Sequence, residues 1–289
     1  MRKLITSFFI LLAAETVLMS QDTQDKINRQ VFDKVMESFR SGADKAAGEL
    51  TADIAAFLCG TPYAASTLEG DKEELRIFLD KTDCILFVES CICLALTAKG
   101  LRIVQDGTPL PSTPSYGLYC DNIRNMRYRN GIIDGYASRL HYTSEWLHQA
   151  AGNGILKEYT SVDGERIRQS FSFMSSNSRL YPSLAESPEN VRLIRGSEMK
   201  LEAAGPYHMI AKDKLKDKSI SGTIRRGDVI AFVSSTEGLD ITHIAIAYPS
   251  DDGEMHFIHA SSKAGKVIFE PASLADYTRK GIRCARLTF

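Results

Sequence analysis

The sequence lacks an excess of charge of either sign. Its 289 residues include 35 lysine and arginine side chains and 36 aspartate and glutamate side chains, a formal net charge of −1. A protein that binds nucleic acid regardless of sequence needs a basic surface that displaces counterions from phosphates. The near-neutral balance therefore argues against nucleic acid as a partner. Apolar residues make up 44% of the chain, which excludes an intrinsically disordered protein.

Internal repeats, low-complexity linkers and a second apolar run long enough to span a membrane are also missing. The first apolar run begins at Leu4, directly after Arg2 and Lys3, and gives way to polar residues. A charged start, a short apolar centre and a polar end are typical of a secretory signal peptide, whereas a membrane span needs about 20 apolar residues. We predict a signal peptide over residues 1–20 and an exported mature protein, periplasmic or secreted, with no membrane span. A membrane anchor or a buried helix is the alternative.

The order of periodic segments predicts an α+β fold, with helices first and antiparallel strands last. The predicted helices cover residues 22–58 with a break at Gly42, residues 71–79, and residues 84–98, for which Asp83 is the N-cap and Gly100 the stop. The predicted strands cover residues 228–233, 242–248, 254–260, 267–270 and 282–287, with a hairpin turn at 250–253. Residues 101–220 show no strong periodicity.

Cys84 is the candidate nucleophile, because it stands where the helix over residues 84–98 begins. Backbone N–H groups and the helix dipole favour an anion there, which predicts a lowered pKa for the thiol. The same N–H groups could stabilise an oxyanion during acyl transfer. A small buried hydrophobic residue is the alternative interpretation.

His243 and His259 lie in neighbouring predicted strands. If the hairpin pairs Tyr248 with Glu254, His243 lies directly opposite His259, and a register one residue longer places Ala260 there instead. One histidine could then act as the base while the other orients its ring. Together with the candidate nucleophile, the pair favours a catalytic role over a structural one.

A zinc site is an alternative for the same residues, and its possible ligands are Cys84, Cys91, Cys93, His243 and His259. Zinc sites usually contain close ligand pairs such as C-x₂₋₄-C. Cys91 and Cys93 have one residue between them and lie about 200° apart around a helix. We therefore predict neither a metal nor another cofactor.

Five segments follow the order found in NlpC-type papain-like cell-wall hydrolases: residues 60–63 (GTPY), 83–84 (DC), 226–232 (RGDVIAF), His243 with its strand, and 257–260 (FIHA). The sequence resembles that family, whose papain-like core packs the nucleophile's helix on an antiparallel sheet. The resemblance implies that Cys84 is the nucleophile, His243 the general base and His259 the residue that orients it. Tyr63 matches a tyrosine that helps to define the oxyanion site, and Asp83 matches an acidic residue before the nucleophile.

The chain differs from small NlpC domains, since Ile85-Leu86 replaces Ser-Gly and a long insertion, about residues 101–220, precedes the histidines. Segments 83–89, 138–146 and 173–181 make it similar to a larger branch, the N-acetylmuramoyl-L-alanine amidase-like family of exported bacterial proteins. The resemblance implies a cysteine amidase that cleaves the muramoyl–L-alanine amide of peptidoglycan fragments (muropeptides). We expect a monomer with a single domain over residues 21–289, whose insertion shapes the substrate pocket.

Five residues of the insertion are candidates for holding the substrate. Arg139 and Arg179 could pair with carboxylates of the stem peptide, because arginine offers bidentate donors. Tyr142 and Trp146 could stack on sugar rings, and His141 is the remaining candidate. A surface charge or a core aromatic is the alternative for each. For the whole protein, the alternatives are a cysteine endopeptidase that cuts within the stem peptide and a non-catalytic muropeptide-binding protein.

Overall fold

The computed structural model describes residues 22–289. The predicted signal peptide, residues 1–20, lies outside the described residues. Within the described part of the chain, every helix is too short or too polar to cross a membrane.

Helices dominate the first part of the described chain and strands the last. The helices are α1 (22–39), α2 (Ala47–Phe57), α3 (Cys84–Ala98), α4 (Tyr116–Arg127), α5 (Thr143–Gly152), α6 (Phe173–Ser176), α7 (Pro182–Ala185), α8 (Pro188–Ala204), α9 (Lys218–Ser221) and α10 (Leu274–Tyr277). The strands are β1 (Leu101–Arg102), β2 (Leu110–Pro111), β3 (Leu156–Glu158), β4 (Glu165–Ile167), β5 (Tyr207–Ala211), β6 (Val229–Val233), β7 (Ile241–Pro249), β8 (Met255–Ser261), β9 (Lys266–Phe269) and β10 (Gly281–Leu287). This mixture of helices and antiparallel strands confirms the predicted α+β class.

An eight-stranded sheet forms the centre of the fold. Its order is β4-β5-β10-β6-β7-β8-β9, β3 also pairs with β10, and every pair is antiparallel. The five strands predicted near the end of the sequence are confirmed, each boundary within one residue. The last of them, β10, lies in the middle of the sheet between β5 and β6.

Helix α3 is confirmed with the predicted boundaries. The carboxylate of Asp83 caps it by accepting a hydrogen bond from the backbone N–H of Leu86 at 3.0 Å. Gly100 adopts a φ of +65°, the left-handed conformation that ends many helices. The apolar side chains of α3 are buried in one core with Ile244 of β7 and Ile258 of β8, so α3 begins at the face of the sheet.

Residues 71–79 are not a helix, contrary to the prediction from their charge pattern. They form an irregular segment whose backbone groups bond to a distant side chain. Asn28 of α1 accepts a hydrogen bond from the N–H of Leu79 and donates one to the carbonyl oxygen of Ile77. These long-range bonds replace the local bonds of a helix. The second half of the predicted 22–58 helix is α2, which begins four residues after residue 43.

The register of the β7–β8 hairpin also differs from the prediction. Tyr248 pairs with His256 and not with Glu254, because the turn is wider than expected. His243 is therefore not directly opposite His259, and both predicted registers are wrong. The first of them differs from the observed register by two residues, and side chains alternate between faces with a period of two. The two histidines therefore still share one face as diagonal neighbours.

Candidate active site

Cys84, at the first turn of α3, meets the sheet beside His243. The backbone N–H groups of Ile85 and Ile244 lie near its sulfur and favour the thiolate form. Ile244 follows His243 in β7, so the thiol lies near the strand that carries the candidate base. The candidate nucleophile thus lies near the strand of the candidate base, although a long insertion separates the two residues in the sequence.

The two histidines continue from that point as a hydrogen-bonded chain. Nε2 of His243 lies 2.6 Å from Nδ1 of His259, and the two ring planes are 84° apart. Nε2 of His259 lies 3.1 Å from Oε2 of Glu270, and Oε1 of Glu270 accepts a hydrogen bond from the backbone N–H of Ala272 at 3.1 Å. The candidate base His243 is therefore linked to a second histidine and then to a carboxyl group.

Two residues that contact His259, Glu270 and Tyr277, are not among the predicted site residues. His259 pairs with Ile268 across the β8–β9 hairpin, so Glu270, two residues further on, falls on the same face as His259. That register was a signal that could have found it. The ring of Tyr277 packs edge-on against His259 at 5.7 Å between centroids. No sequence pattern marks Tyr277.

Tyr63 is held beside the nucleophile by backbone hydrogen bonds. Its N–H donates to the carbonyl oxygen of Gly265, and the N–H of Thr82 donates to the carbonyl oxygen of Pro62. The segment around Tyr63 thus joins the edge of β9 to the start of α3. Burial raises the pKa of Tyr63, and the nearby Cys84 raises it further. This position agrees with the predicted place of Tyr63 next to the thiol.

Burial controls the ionisation of the two central groups. It raises the pKa of the Cys84 thiol to about 12, and the charge of Asp83 adds to the effect. The prediction of a lowered thiol pKa is wrong, because desolvation penalises the thiolate more than the helix N-terminus favours it. Burial also lowers the pKa of His243 to about 3, and the neighbouring His259 contributes. At neutral pH the site therefore holds a thiol and a neutral imidazole.

Arg139 and His141 lie close to Tyr136 and bond within the protein. The guanidinium of Arg139 is buried and pairs with Glu69 at 2.8 Å. Nε2 of His141 lies 2.9 Å from the carbonyl oxygen of Tyr136, and burial lowers the pKa of His141 to about 3. The charge of Arg139 is thus balanced by a carboxylate of the protein itself, which weakens its assignment as a partner for a substrate carboxylate.

Tyr142 and Trp146 belong to the core, and the prediction that they stack on sugar rings is wrong. Each is only 2% exposed. The hydroxyl of Tyr142 donates to Oε1 of Glu198 at 2.8 Å, and Trp146 packs inward from α5. Arg179 is exposed in the 3₁₀ turn Ser178–Leu180, and its role stays a prediction.

All six cysteines are free thiols, and Cys91, Cys93 and Cys284 are buried. Cys91 and Cys93 point into the core from α3 and do not converge with the histidines. Across residues 22–289, no group of three or more histidine, cysteine, aspartate or glutamate side chains is arranged to hold a metal ion.

Comparison with known proteins gives the family of the chain. A family model described as N-acetylmuramoyl-L-alanine amidase-like matches residues 53–282, which include Cys84, both histidines and Glu270. The chain belongs to this amidase-like family. The family is one of cell-wall amidase-like proteins, so a hydrolase that acts on amides is the expected class. The relationship to NlpC-type papain-like hydrolases stays a prediction.

Solved structures of this amidase-like family and beyond share the fold. An N-acetylmuramoyl-L-alanine amidase from Bacteroides uniformis is 34% identical, covers 84% of this chain and 99% of its own, and has a TM-score of 0.75. A Bacteroides fragilis protein with the provisional name xylanase is 36% identical over 81% of this chain and 99% of its own, with a TM-score of 0.71. A Legionella pneumophila protein, 21% identical over 92% of this chain and 97% of its own with a TM-score of 0.62, shows the fold alone. None of the curated proteins compared with the chain matches it.

Proposed function

We propose that the protein is an exported cysteine amidase that cleaves the N-acetylmuramoyl–L-alanine amide of peptidoglycan fragments. The observation that carries the proposal is the closeness of the Cys84 thiol to the backbone of Ile244, which follows His243 in β7, together with the bond between His243 and His259. Membership of an amidase-like family supports the choice of bond. The family and the charged, apolar and polar order of residues 1–20 support export to the periplasm or secretion.

The reaction begins with transfer of the Cys84 proton to His243 as the sulfur attacks the lactyl carbonyl carbon. The carbonyl oxygen becomes an oxyanion, which accepts hydrogen bonds from N–H groups near the sulfur, and Tyr63 borders that position. When the C–N bond breaks, the peptide amine takes the proton back from His243. Water, deprotonated by His243, then hydrolyses the thioester and releases the muramoyl carboxylate and the thiol. These steps use groups of this chain and no cofactor.

Glycoside hydrolysis, which the name of the Bacteroides fragilis structure would suggest, finds less support at this site. Most glycosidases place two carboxyl groups on either side of the scissile bond. Here Asp83 caps α3, and Glu270 is bonded to His259 and to the N–H of Ala272. Both carboxyl groups are therefore occupied by the protein.

Product analysis on defined muropeptides tests the proposal. We expect the parent protein and Cys59→Ala, which removes an exposed thiol that the proposed mechanism does not use, to release the intact stem peptide at equal rates. Cys84→Ala should lower the rate by about 1,000-fold or more, because it removes the nucleophile. The products are identified by mass spectrometry.

Four results would overturn the proposal. A sugar-bearing dipeptide among the products would indicate an endopeptidase that cuts within the stem. Binding of muropeptides without turnover would indicate a non-catalytic binding protein. Equal rates for Cys84→Ala and the parent would exclude the cysteine mechanism, and loss of activity to a chelator, together with one equivalent of bound zinc, would indicate a metal enzyme.

A further inference from the structure

We propose that Glu270 fixes the positions of the protons on the histidine pair and thereby leaves Nδ1 of His243 as the nitrogen that accepts the thiol proton. This proposal rests on the proposed function for its reaction, and on the hydrogen bonds and the burial of the two rings for the proton positions. Glu270 acts here as a positioning residue, since it reaches the reacting atoms only through two imidazole rings.

The carboxylate of Glu270 can only accept hydrogen bonds. Oε1 of Glu270 accepts from the N–H of Ala272, and Oε2 lies 3.1 Å from Nε2 of His259. Nε2 of His259 must therefore carry a hydrogen. Burial lowers the pKa of His259, which favours the neutral ring, and a neutral imidazole carries one hydrogen. Nδ1 of His259 is then an acceptor.

The hydrogen positions on His259 determine those on His243. Nδ1 of His259 lies 2.6 Å from Nε2 of His243, so Nε2 of His243 has to donate. His243 is neutral as well, because burial lowers its pKa, and its Nδ1 is left without a hydrogen. Within residues 22–289, no other hydrogen bond to His243 occupies that nitrogen. The opposite arrangement would place a hydrogen on Nδ1 and would block proton transfer from the thiol.

One isosteric substitution should reverse the arrangement. In Glu270→Gln, the N–H of Ala272 still needs an acceptor, so the amide oxygen stays there and the amide NH₂ turns to His259. Nε2 of His259 then becomes an acceptor, and its hydrogen moves to Nδ1. The ring of His243 must follow, which puts a hydrogen on its Nδ1.

Nitrogen NMR of ¹⁵N-histidine-labelled full-length protein reads these positions directly. Glu254→Gln is the matched control, because Glu254 is exposed in the hairpin turn and its carboxylate pairs with Lys218 at 3.6 Å, on the surface. We expect Nδ1 of His243 to be unprotonated in the parent and the control and protonated in Glu270→Gln. In that variant, kcat on muropeptides should fall by about 100- to 10,000-fold with KM nearly unchanged, and iodoacetamide should alkylate Cys84 more slowly.

Several outcomes would overturn the inference. A protonated Nδ1 in the parent would do so without any variant, as would a Glu270→Gln spectrum that matches the parent. Reversed protons with unchanged alkylation and unchanged kcat would also contradict it. If the parent cleaves no muropeptide but the spectra and the alkylation rates change as expected, the proposed function fails and the inference stands.

Discussion

Cys84 and His243 are half-buried, and desolvation keeps both uncharged at rest, which changes how the proposed nucleophile would be activated. A thiolate would be permanently reactive, whereas a thiol with a pKa raised to about 12 becomes a nucleophile only when a base takes its proton during attack. Oxidation also proceeds through the thiolate. The neutral pair therefore suits an enzyme proposed to work in an oxidising compartment with its thiol free.

The resting charge state predicts an unusual pH profile. His243 accepts a proton from the thiol only while it is unprotonated, and its pKa is lowered to about 3. As pH falls, kcat/KM should therefore stay constant through the ordinary histidine pKa of about 6.5. It should decline only as pH approaches 3. Circular dichroism over the same range separates inactivation from unfolding. An acid limb near 6.5, or thiolate absorbance that Cys84→Ala removes at neutral pH, would indicate a charged pair instead.

The Arg226-Gly227 junction, part of the segment that resembles NlpC-type hydrolases, holds two elements of the fold together. Gly227 precedes β6 with a φ of +84°, and a Cβ at this position would lie 2.0 Å from the carbonyl oxygen of Gly48 in α2. Arg226 pairs with Glu49 and Asp53 of the same helix, both at 2.7 Å. This part of the resemblance therefore fixes α2 against the start of β6 and does not contribute a group to the site.

Two glycine substitutions separate the effect of the close approach between Gly227 and Gly48 from the effect of a positive φ. Gly227→Ala adds a Cβ both at a positive φ and against backbone, whereas Gly253→Ala adds one at a φ of +78° with open space around it. We expect Gly253→Ala to lower the free energy of unfolding by about 1–2 kcal/mol. Gly227→Ala should lower it by about 3 kcal/mol or more, measured by urea denaturation. Equal losses would mean that α2 moves away without cost.

Local patterns identified the elements well, and contacts between distant residues account for what they missed. Strand boundaries follow from alternation and turn residues, and α3 follows from its apolar run, Asp83 and Gly100. Asn28 lies far from the segment 71–79 whose backbone it bonds, so no local pattern could reveal that this segment is not a helix. The burial of Trp146 likewise depends on where α5 packs.

The site draws its groups from widely separated parts of the molecule. Sequence analysis found Cys84, His243 and His259 from a helix start and two strands, because each has a local signal. Glu270 is placed by a register between strands, and the pKa of the thiol is set by how completely the whole fold excludes water. The sequence therefore predicts the three residues and the elements that carry them. It does not predict that Glu270 bonds to His259, nor that Cys84 and His243 are uncharged.

The position of β10 makes the integrity of the whole sheet depend on the last residues of the chain. β10 pairs with β6 on one side and with β5 and β3 on the other, and Arg283 bonds to Glu158 at 2.8 Å and to Ser144 at 2.6 Å. A chain that ends at Lys280 would leave three strands with unpaired backbone groups and Glu158 without its partner, costs that no surface rearrangement can recover. We expect this chain to lose cooperative urea unfolding by circular dichroism, while a control that ends at Thr288 keeps it. Cooperative unfolding of the shorter chain would show that the helical part and the remaining strands form a stable unit without the central strand.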